Sequence, residues 1–447
     1  MDKNKASWIA LVGLSIANLL GCLDLTIVNT ALPAIQGSLN LNTIQLQWVM
    51  NALLLALTAF MVIAGKLADR FGRRRILYIG MLLFAVSSLG AGLVMSFHAL
   101  IFFRFLQGIS IAILYTAPVA LIPSLFPENT GKAMGILFGV SGVGLTLGPV
   151  VGGILTTFFN WHIIFLINLP IILLSFILCI ITLPESKAAN KDKIDFIGAL
   201  LLIIALPLLI FTTVNTHIIG WLALHTILSY ALTLVLLFLF FMRERNIKFP
   251  IINFHLFINH KFIIGLVANF FLAFFYAIDL FFIPLHLHNA DNFSSEKIGL
   301  ILLAPTMMMA IISPLSGTLC DRFGTKTILL VGYMFFIFSA LLQIHFYNNQ
   351  QLDLLLIPYI LFGAGWACIL SPSLITAMSS LPEEMGGVAI GAIGTWHNFG
   401  ATLGLAIGAI MSYLNAMHLI LATSLLALFA ILFGLMSFKA AIITKNA

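Results

Sequence analysis

Apolar runs of about 20 residues, without the alternation typical of strands, recur along the whole chain between short polar segments. Runs of this length predict helices that span a lipid bilayer. Backbone groups in lipid must be paired within a segment or a closed barrel, and the lack of alternation excludes the barrel. We expect an all-α integral membrane protein with fourteen transmembrane helices, at residues 8–31, 45–65, 76–96, 99–122, 133–156, 162–183, 195–214, 221–242, 261–286, 297–319, 327–346, 353–378, 388–412 and 417–438.

A short basic turn, Gly65–Arg75, separates the second run from the third and surrounds one acid, Asp69, with five cations. A second copy of this turn, Gly317–Thr327, follows at an offset of 252 residues. The pairs in register include Gly65 and Gly317, Asp69 and Asp321, Arg70 and Arg322, and Gly72 and Gly324. The repetition indicates that the chain contains two related halves.

The repeat predicts three regions. Residues 1–183 form an N-terminal six-helix bundle, 184–260 form a linker with two extra transmembrane helices, and 261–447 form a C-terminal six-helix bundle. Parallel six-helix repeats about an axis along the membrane normal are a common plan of secondary transporters. One chain already holds both halves, so we expect it to function as a monomer.

The composition supports the membrane assignment. The chain is 61% hydrophobic and only 8% charged, and its mean hydropathy is +1.13. Soluble domains are roughly 45–50% apolar and about 25% charged. The lipid bilayer is therefore the expected solvent of this protein.

The net charge of +6 is an orientation signal rather than a nucleic-acid footprint. On the predicted spans, 19 of the 21 Lys and Arg residues lie on one side, Lys297 lies on the other, and Arg104 lies inside a span. The positive-inside rule places both termini and both basic turns in the cytoplasm. The first span lacks a small-residue cleavage site, so we expect no signal peptide.

Three charged residues lie inside predicted spans, where such residues usually face a cavity or a partner. Asp24 lies about 24 Å along the first span and Arg104 lies near the outer end of the fourth. An Asp24–Arg104 pair is therefore feasible. It would be either a carboxylate that binds and releases protons in response to substrate, or a permanent ion pair that fixes helix packing.

Asp279 has no cation in its own span, and that favours a carboxyl that exchanges protons over a solvated residue near the outer mouth. His397, near the middle of the thirteenth span, either titrates or forms a hydrogen bond between helices. His286 and His288 lack the further ligands that a metal site needs, so no metal is expected.

The fifth span carries Gly144, Gly148 and Gly152 at four-residue spacing, with Pro149 and Gly153 beside them. Glycines at this spacing make a smooth face that lets another backbone approach closely. Proline removes a backbone donor and favours a bend. This combination of regularly spaced glycines with a proline is unusual for a helix whose glycines serve packing alone.

The basic turn also has mechanical consequences. Gly65 and Gly72 permit a tight reversal, and Asp69 can meet helix N-terminal amides or a nearby cation such as Arg73. These contacts could join the two halves in one conformation and separate in another, as an inter-half latch. The alternative is an orientation anchor only.

Four motifs in order resemble the major facilitator superfamily, specifically its fourteen-span drug:proton antiporter branch. Gly65–Arg75 resembles that superfamily's loop between helices two and three, and Leu23–Pro33 is similar to the first-helix motif of the branch. Arg104–Gly108 resembles the fourth-helix motif, and Gly135–Gly153 resembles the fifth-helix motif of exporters. The resemblance implies alternating access, proton-driven export and coupling roles for Asp24 and Arg104.

We therefore expect a proton-coupled exporter of amphipathic or cationic small molecules in the bacterial inner membrane, and not an enzyme. Nucleotide-binding motifs are absent from the sequence, which favours a proton gradient over a cofactor as the energy source. The expected partners are a small-molecule substrate, protons and lipid, and no nucleic acid. The alternatives are proton-coupled uptake of a metabolite or siderophore and, less consistent with the pattern, a non-transporting membrane sensor.

Overall fold

The computed structural model describes residues 3–184, 195–220, 222–247, 250–251, 254–289, 295–348, 352–379, 381 and 385–412. All regular structure in these residues is helical. The α-helices are α1 (Lys3–Leu39), α2 (Thr43–Phe71), α3 (Arg73–Ala91), α4 (Phe97–Leu125), α5 (Thr130–Phe158), α6 (Ile163–Leu166), α7 (Asn168–Thr182), α8 (Phe196–Ile219), α9 (Leu224–Asn246), α10 (His260–Asn289), α11 (Ser295–Phe323), α12 (Thr325–Asn348), α13 (Leu356–Met378) and α14 (Gly386–Ser412). Short 3₁₀ helices occupy Phe254–Ile258 and Leu352–Leu355.

Twelve helices in the described ranges are long and apolar enough to cross a membrane, with α6 and α7 counted as one. The predicted thirteenth span corresponds to α14, which is not among the twelve, and the predicted fourteenth, 417–438, lies outside the described residues. The predicted count of fourteen is therefore not confirmed. Several helices are longer than predicted; α1, with 37 residues, is longer than the roughly 20 residues needed to cross the hydrocarbon core.

The two halves repeat the same helix contacts. In the first half α1 packs on α5, while α4 packs on α2 and α3. In the second half α10 packs on α14, while α13 packs on α11 and α12. Where the halves meet, α2 contacts α14 and α5 contacts α11. Duplicated sequence therefore gives duplicated packing, and the two interface contacts are related by the same repeat.

Helices α8 and α9 pack on each other, and α8 also contacts α2 and α14. Asp195, just before α8, accepts a hydrogen bond from Arg243 of α9, with Nε and Oδ2 2.7 Å apart. Burial raises the pKa of Asp195, but the hydrogen bond and positive charge of Arg243 lower it by more. The pKa of Asp195 therefore lies below its usual value. The pair fixes the start of one extra helix to the end of the other.

Candidate functional site

Asp24 of α1 and Arg104 of α4 form a fully buried ion pair, with 2.5 Å between Arg104 Nη1 and Asp24 Oδ2. Arg104 Nε also donates to the Val49 carbonyl of α2 at 3.1 Å. Arg104 Nη2 has no hydrogen-bond partner among the described residues. The pair thus joins three helices through two mutually compensated charges and leaves one donor free to form a new bond.

Neutral side chains complete the network around this pair. Gln107 donates to Asp24 Oδ1 at 3.3 Å and to Ser88 at 3.0 Å, and it accepts from Arg104 at 3.0 Å. Asn168 of α7 donates to the same Asp24 oxygen at 3.2 Å. The carboxylate is therefore held from α4 and α7 together, in a part of the N-terminal bundle that is sealed from solvent.

Asp279 of α10 lies at the corresponding position in the second half and is 5% exposed. Gln343 of α12 donates to Asp279 Oδ2 at 3.1 Å, and Tyr359 of α13 donates to the Asp279 backbone carbonyl at 3.1 Å. Gln343 also bonds to Ser339 at 3.2 Å. The hydrogen bond that the structure gives the Asp279 carboxyl comes from the neutral amide of Gln343.

An offset of 255 residues relates the two acids, and the same offset relates Arg104 to Tyr359. The repeat thus places a carboxylate on the first helix of each half and its partner on the fourth. In the first half that partner is a cation, whereas in the second it is a phenol bonded to the backbone. The two acids share a position but differ in how their charge is balanced.

His397 of α14 lies beside Asn269 of α10, with 3.2 Å between His397 Nδ1 and Asn269 Oδ1. The Asn269 amide nitrogen donates to the Gly265 carbonyl, so its oxygen is the atom that faces the histidine. Because an amide oxygen only accepts, Nδ1 of His397 carries the proton. His397 therefore forms a hydrogen bond between α14 and α10.

A cavity of about 190 Å³ lies between the halves and is lined by helices of both. Its wall is largely apolar, and neither Asp24, Arg104 nor Asp279 lines it. The polar and aromatic lining residues include Asn18, Tyr115, Tyr276, Trp366, His397 and Asn398. Of the residues predicted for proton coupling or the substrate cavity, the structure brings only His397 to the cavity wall.

Asp69 joins the two halves on the side of the basic turns. Its carboxylate accepts from the backbone amides of Gly387 and Val388, at the start of α14, at 3.0 and 2.9 Å. Arg73 bonds to the same carboxylate at 3.2 Å and to the Ala120 carbonyl at 2.8 Å. We call Asp69, Gly387 and Val388 the first latch.

Asp321 makes the repeat-related contact, accepting from the amides of Gly131 and Lys132 at the start of α5, both at 2.9 Å. We call these residues the second latch. Beside the latches, a Cβ on Gly65 or Gly317 would collide with the backbone of Gly387 or Gly131. Only glycines allow the backbones to approach this closely. A backbone contact between two glycines therefore lies beside each latch.

The remaining residues of the basic turns have more local roles. Gly72 and Gly324 adopt positive φ, 98° and 80°, and reverse the chain between helices. Arg70 lies over the Phe71 ring, 4.9 Å from its centroid, and Arg322 is exposed. Neither arginine forms an ion pair with another described residue, whereas Asp69 and Asp321 form hydrogen bonds across the halves.

The fifth-helix glycines pack against α1. A Cβ at Gly144, Gly148 or Gly152 would meet the backbone of Leu19 or Ile27. Pro149 is exposed, and a Cβ added at Gly153 would have open space around it, so these two residues lie off that face. The opposite end of α5 carries a second glycine series, at 131, 135, 139 and 142, which faces α11.

Sequence reasoning missed the neutral members of both buried networks and the second glycine series. Gln107 lay within a recognised motif, whereas Ser88 and Asn168 carry no signal beyond being polar within apolar runs. The four-residue spacing of Gly131, Gly135 and Gly139 was visible in the sequence and predicts close helix contact.

Comparison with known proteins is consistent with this geometry. Residues 14–405 match the family model described as the Major Facilitator Superfamily. The chain is 32% identical over 409 residues to the tetracenomycin C resistance and export protein of Streptomyces glaucescens, covering 91% of this chain and 76% of that one. It is 30% identical over 404 residues to the riboflavin transporter RibZ of Clostridioides difficile, covering 90% and 87%. A solved structure of the proton:xylose symporter XylE shares the fold, with a TM-score of 0.69 over 97% of this chain and 96% of that one at 15% identity.

Proposed function

We propose that this chain, which belongs to the Major Facilitator Superfamily, is a multi-pass membrane transporter that exports amphipathic small molecules in exchange for protons. The observation that carries the proposal is the pair of buried carboxylates at repeat-related positions, Asp24 and Asp279, one in each of the two halves that enclose a cavity. Buried acids in a membrane bundle are expensive and commonly mark proton relays.

In the proposed cycle, both acids bind protons from outside and release them inside, while cargo occupies the cavity in the alternate state. Protonation of Asp24 would remove one charge of the buried pair and weaken its bond to Arg104. Arg104 also holds the Val49 carbonyl, so this step changes the contacts between α1, α2 and α4. The two latches then separate when the halves rock about the cavity.

The export direction is supported by the relatives and by the sequence motif of α5. Several relatives at about 30% identity are named as resistance proteins, and one is named as an export protein. The proposed location is the bacterial inner membrane with both termini in the cytoplasm, as the distribution of cations predicts. The proton gradient is the proposed energy source, and the monomer the proposed working unit.

The test uses purified protein in proteoliposomes loaded with ethidium or N-methylacridone, two fluorescent probes of different charge. Acid imposed outside should drive efflux of at least one probe, and Asp24→Asn should lower this gradient-driven efflux more than tenfold. Asp195→Asn is the matched control, because it removes a carboxylate outside the bundle and should leave coupling intact. Undiminished gradient-driven efflux in Asp24→Asn would exclude the role given to that acid.

Proton-coupled uptake is the second candidate, and the similarity to a riboflavin transporter favours it. The same vesicles discriminate the two directions. A symporter accumulates the probe when acid and probe are on the same side, whereas an antiporter does so when they are on opposite sides. Accumulation only in the first arrangement would replace export by uptake.

A further inference from the structure

The wall of the cavity contains no Asp, Glu, Lys or Arg among the described residues. The buried residues Asp24, Arg104 and Asp279 do not line it. Asp24 is compensated by Arg104, and the Asp279 carboxyl accepts from Gln343. A ligand with a net charge would therefore lose its hydration without gaining a counter-ion from the wall.

Two buried donors on this wall have no partner. Asn18 Nδ2, on α1, and Trp366 Nε1, on α13, lack hydrogen bonds in the described structure, and these residues are 3% and 6% exposed. An indole N–H can only donate a hydrogen bond. The unpaired donor at Trp366 therefore does not depend on how a side-chain amide is oriented. Buried polar groups are normally paired, and a ligand that brings acceptors would pair both.

The aromatic residues of the wall add a shape requirement. The Tyr276 and Trp366 rings are stacked, with centroids 4.9 Å apart and an angle of 4° between planes. The His397 ring lies 5.5 Å from Tyr276. A flat aromatic ligand can extend such a stack, and offset stacking contributes beyond the area buried.

We propose that the cavity selects uncharged planar aromatic molecules that carry hydrogen-bond acceptors over permanent cations of the same shape. This rests on the proposed transport function and narrows its substrate class, because it removes the cations from the amphipathic or cationic cargo expected from the sequence. Cation–π attraction to tyrosine and tryptophan is the competing effect. Here one face of Tyr276 is already covered by Trp366, and the unpaired wall donors repel a cation.

The experiment compares two tricyclic probes of nearly identical shape on the full chain in detergent. N-methylacridone is neutral and presents a carbonyl acceptor, whereas 10-methylacridinium is a permanent cation without one. Equilibrium dialysis should show at least tenfold tighter binding of N-methylacridone. Equal or tighter binding of the cation, or binding of neither probe, would overturn the proposal.

Two variants then test the donors. Asn18→Leu and Trp366→Phe each remove an N–H while keeping most of the side-chain volume, and each should weaken N-methylacridone binding about three- to tenfold. Leu114→Met is the control, because it alters the same wall without changing a donor. Thermal unfolding checks that each variant is folded. Unchanged N-methylacridone binding in both donor variants would contradict the assignment.

Binding in detergent involves no gradient, so this result is separable from the transport assay. A protein that binds N-methylacridone selectively but shows no proton-driven flux would refute the proposed function and leave the selectivity of the cavity established. Proton-driven flux of ethidium with no preference for the neutral probe would support the proposed function and refute the selectivity of the cavity.

Discussion

At the scale of single residues, the two buried acids differ in what balances their charge. Asp24 is bonded to a cation, whereas Asp279 is bonded to an amide, because the repeat position of Arg104 is occupied by Tyr359. An ionised carboxylate without a cation is costly in a buried site. Of the two acids, Asp279 is therefore the one that no cation among the described residues neutralises.

We expect Asp279→Asn to lower gradient-driven efflux more than tenfold while leaving probe binding within about twofold of the wild type. The reason is that the acid lies outside the cavity wall and, in the proposed cycle, contributes a proton rather than a contact to cargo. Tyr359→Phe is the control, because it removes only a hydrogen bond to the Asp279 backbone. Efflux and binding measured on the same preparations check this; a loss of binding that matches the loss of efflux would contradict it.

Part of this residue-level picture was predictable from the sequence. Charged residues inside apolar runs are conspicuous, and counting along two helices is enough to suggest that Asp24 and Arg104 meet. The neutral members of the networks, such as Ser88 and Asn168, were not predictable because polar residues of this kind also occur as ordinary helix contacts. The unpaired donors of the cavity wall, on Asn18 and Trp366, depend on packing between the halves. No local sequence pattern encodes that packing.

At the scale of helices, the two latches are related by the repeat but are unequal. Asp69 is 6% exposed and bonds to Arg73 as well as to α14. Asp321 is exposed, and the repeat position of Arg73 is Thr325. Helix N-terminal amides carry partial positive charge, so both aspartates gain from their contacts, but the exposed one gains less.

Asp69→Asn should therefore reduce transport more than Asp321→Asn, by about tenfold against threefold or less. Each change leaves an amide of similar size but removes the negative charge that faces the helix N-terminus. Efflux rates normalised to the amount of folded protein in the membrane are the measurement, and the two variants serve as matched controls for each other. Equal losses would show that the added bond to Arg73 has no mechanical consequence, and normal transport in both would leave the turns as orientation anchors.

The sequence predicted helix N-terminal amides or a cation as partners of Asp69, but not which helix supplies the amides. A basic turn with an internal acid marks a loop between two helices, and its copy marks the repeat. The partner amides lie 318 residues away for Asp69 and 190 for Asp321, at the starts of α14 and α5. Backbone donors are invisible to residue patterns, so the structure was needed to identify both partners.

At the scale of the whole molecule, contact between the halves on the side of the basic turns depends on glycines, which have no side chain to keep the backbones apart. At Gly387 an added Cβ would lie 2.5 Å from the Gly65 carbonyl oxygen and 2.8 Å from Asp69 Oδ1. Neither neighbour is the flexible end of a long side chain, so the halves would have to separate to accommodate a methyl group. In the proposed transport cycle, this contact forms and breaks in each turnover.

Gly387→Ala should hold the protein open on this side and lower transport more than tenfold. Gly37→Ala adds the same methyl group where nothing lies within 4 Å, and it should behave as the wild type. Cys22 lines the cavity and reports the difference. With Cys179, Cys320 and Cys368 replaced by alanine, a charged maleimide applied from the basic-turn side should label Cys22 at least fivefold faster in Gly387→Ala than in Gly37→Ala. Equal labelling rates would show that the glycine contact does not control access to the cavity.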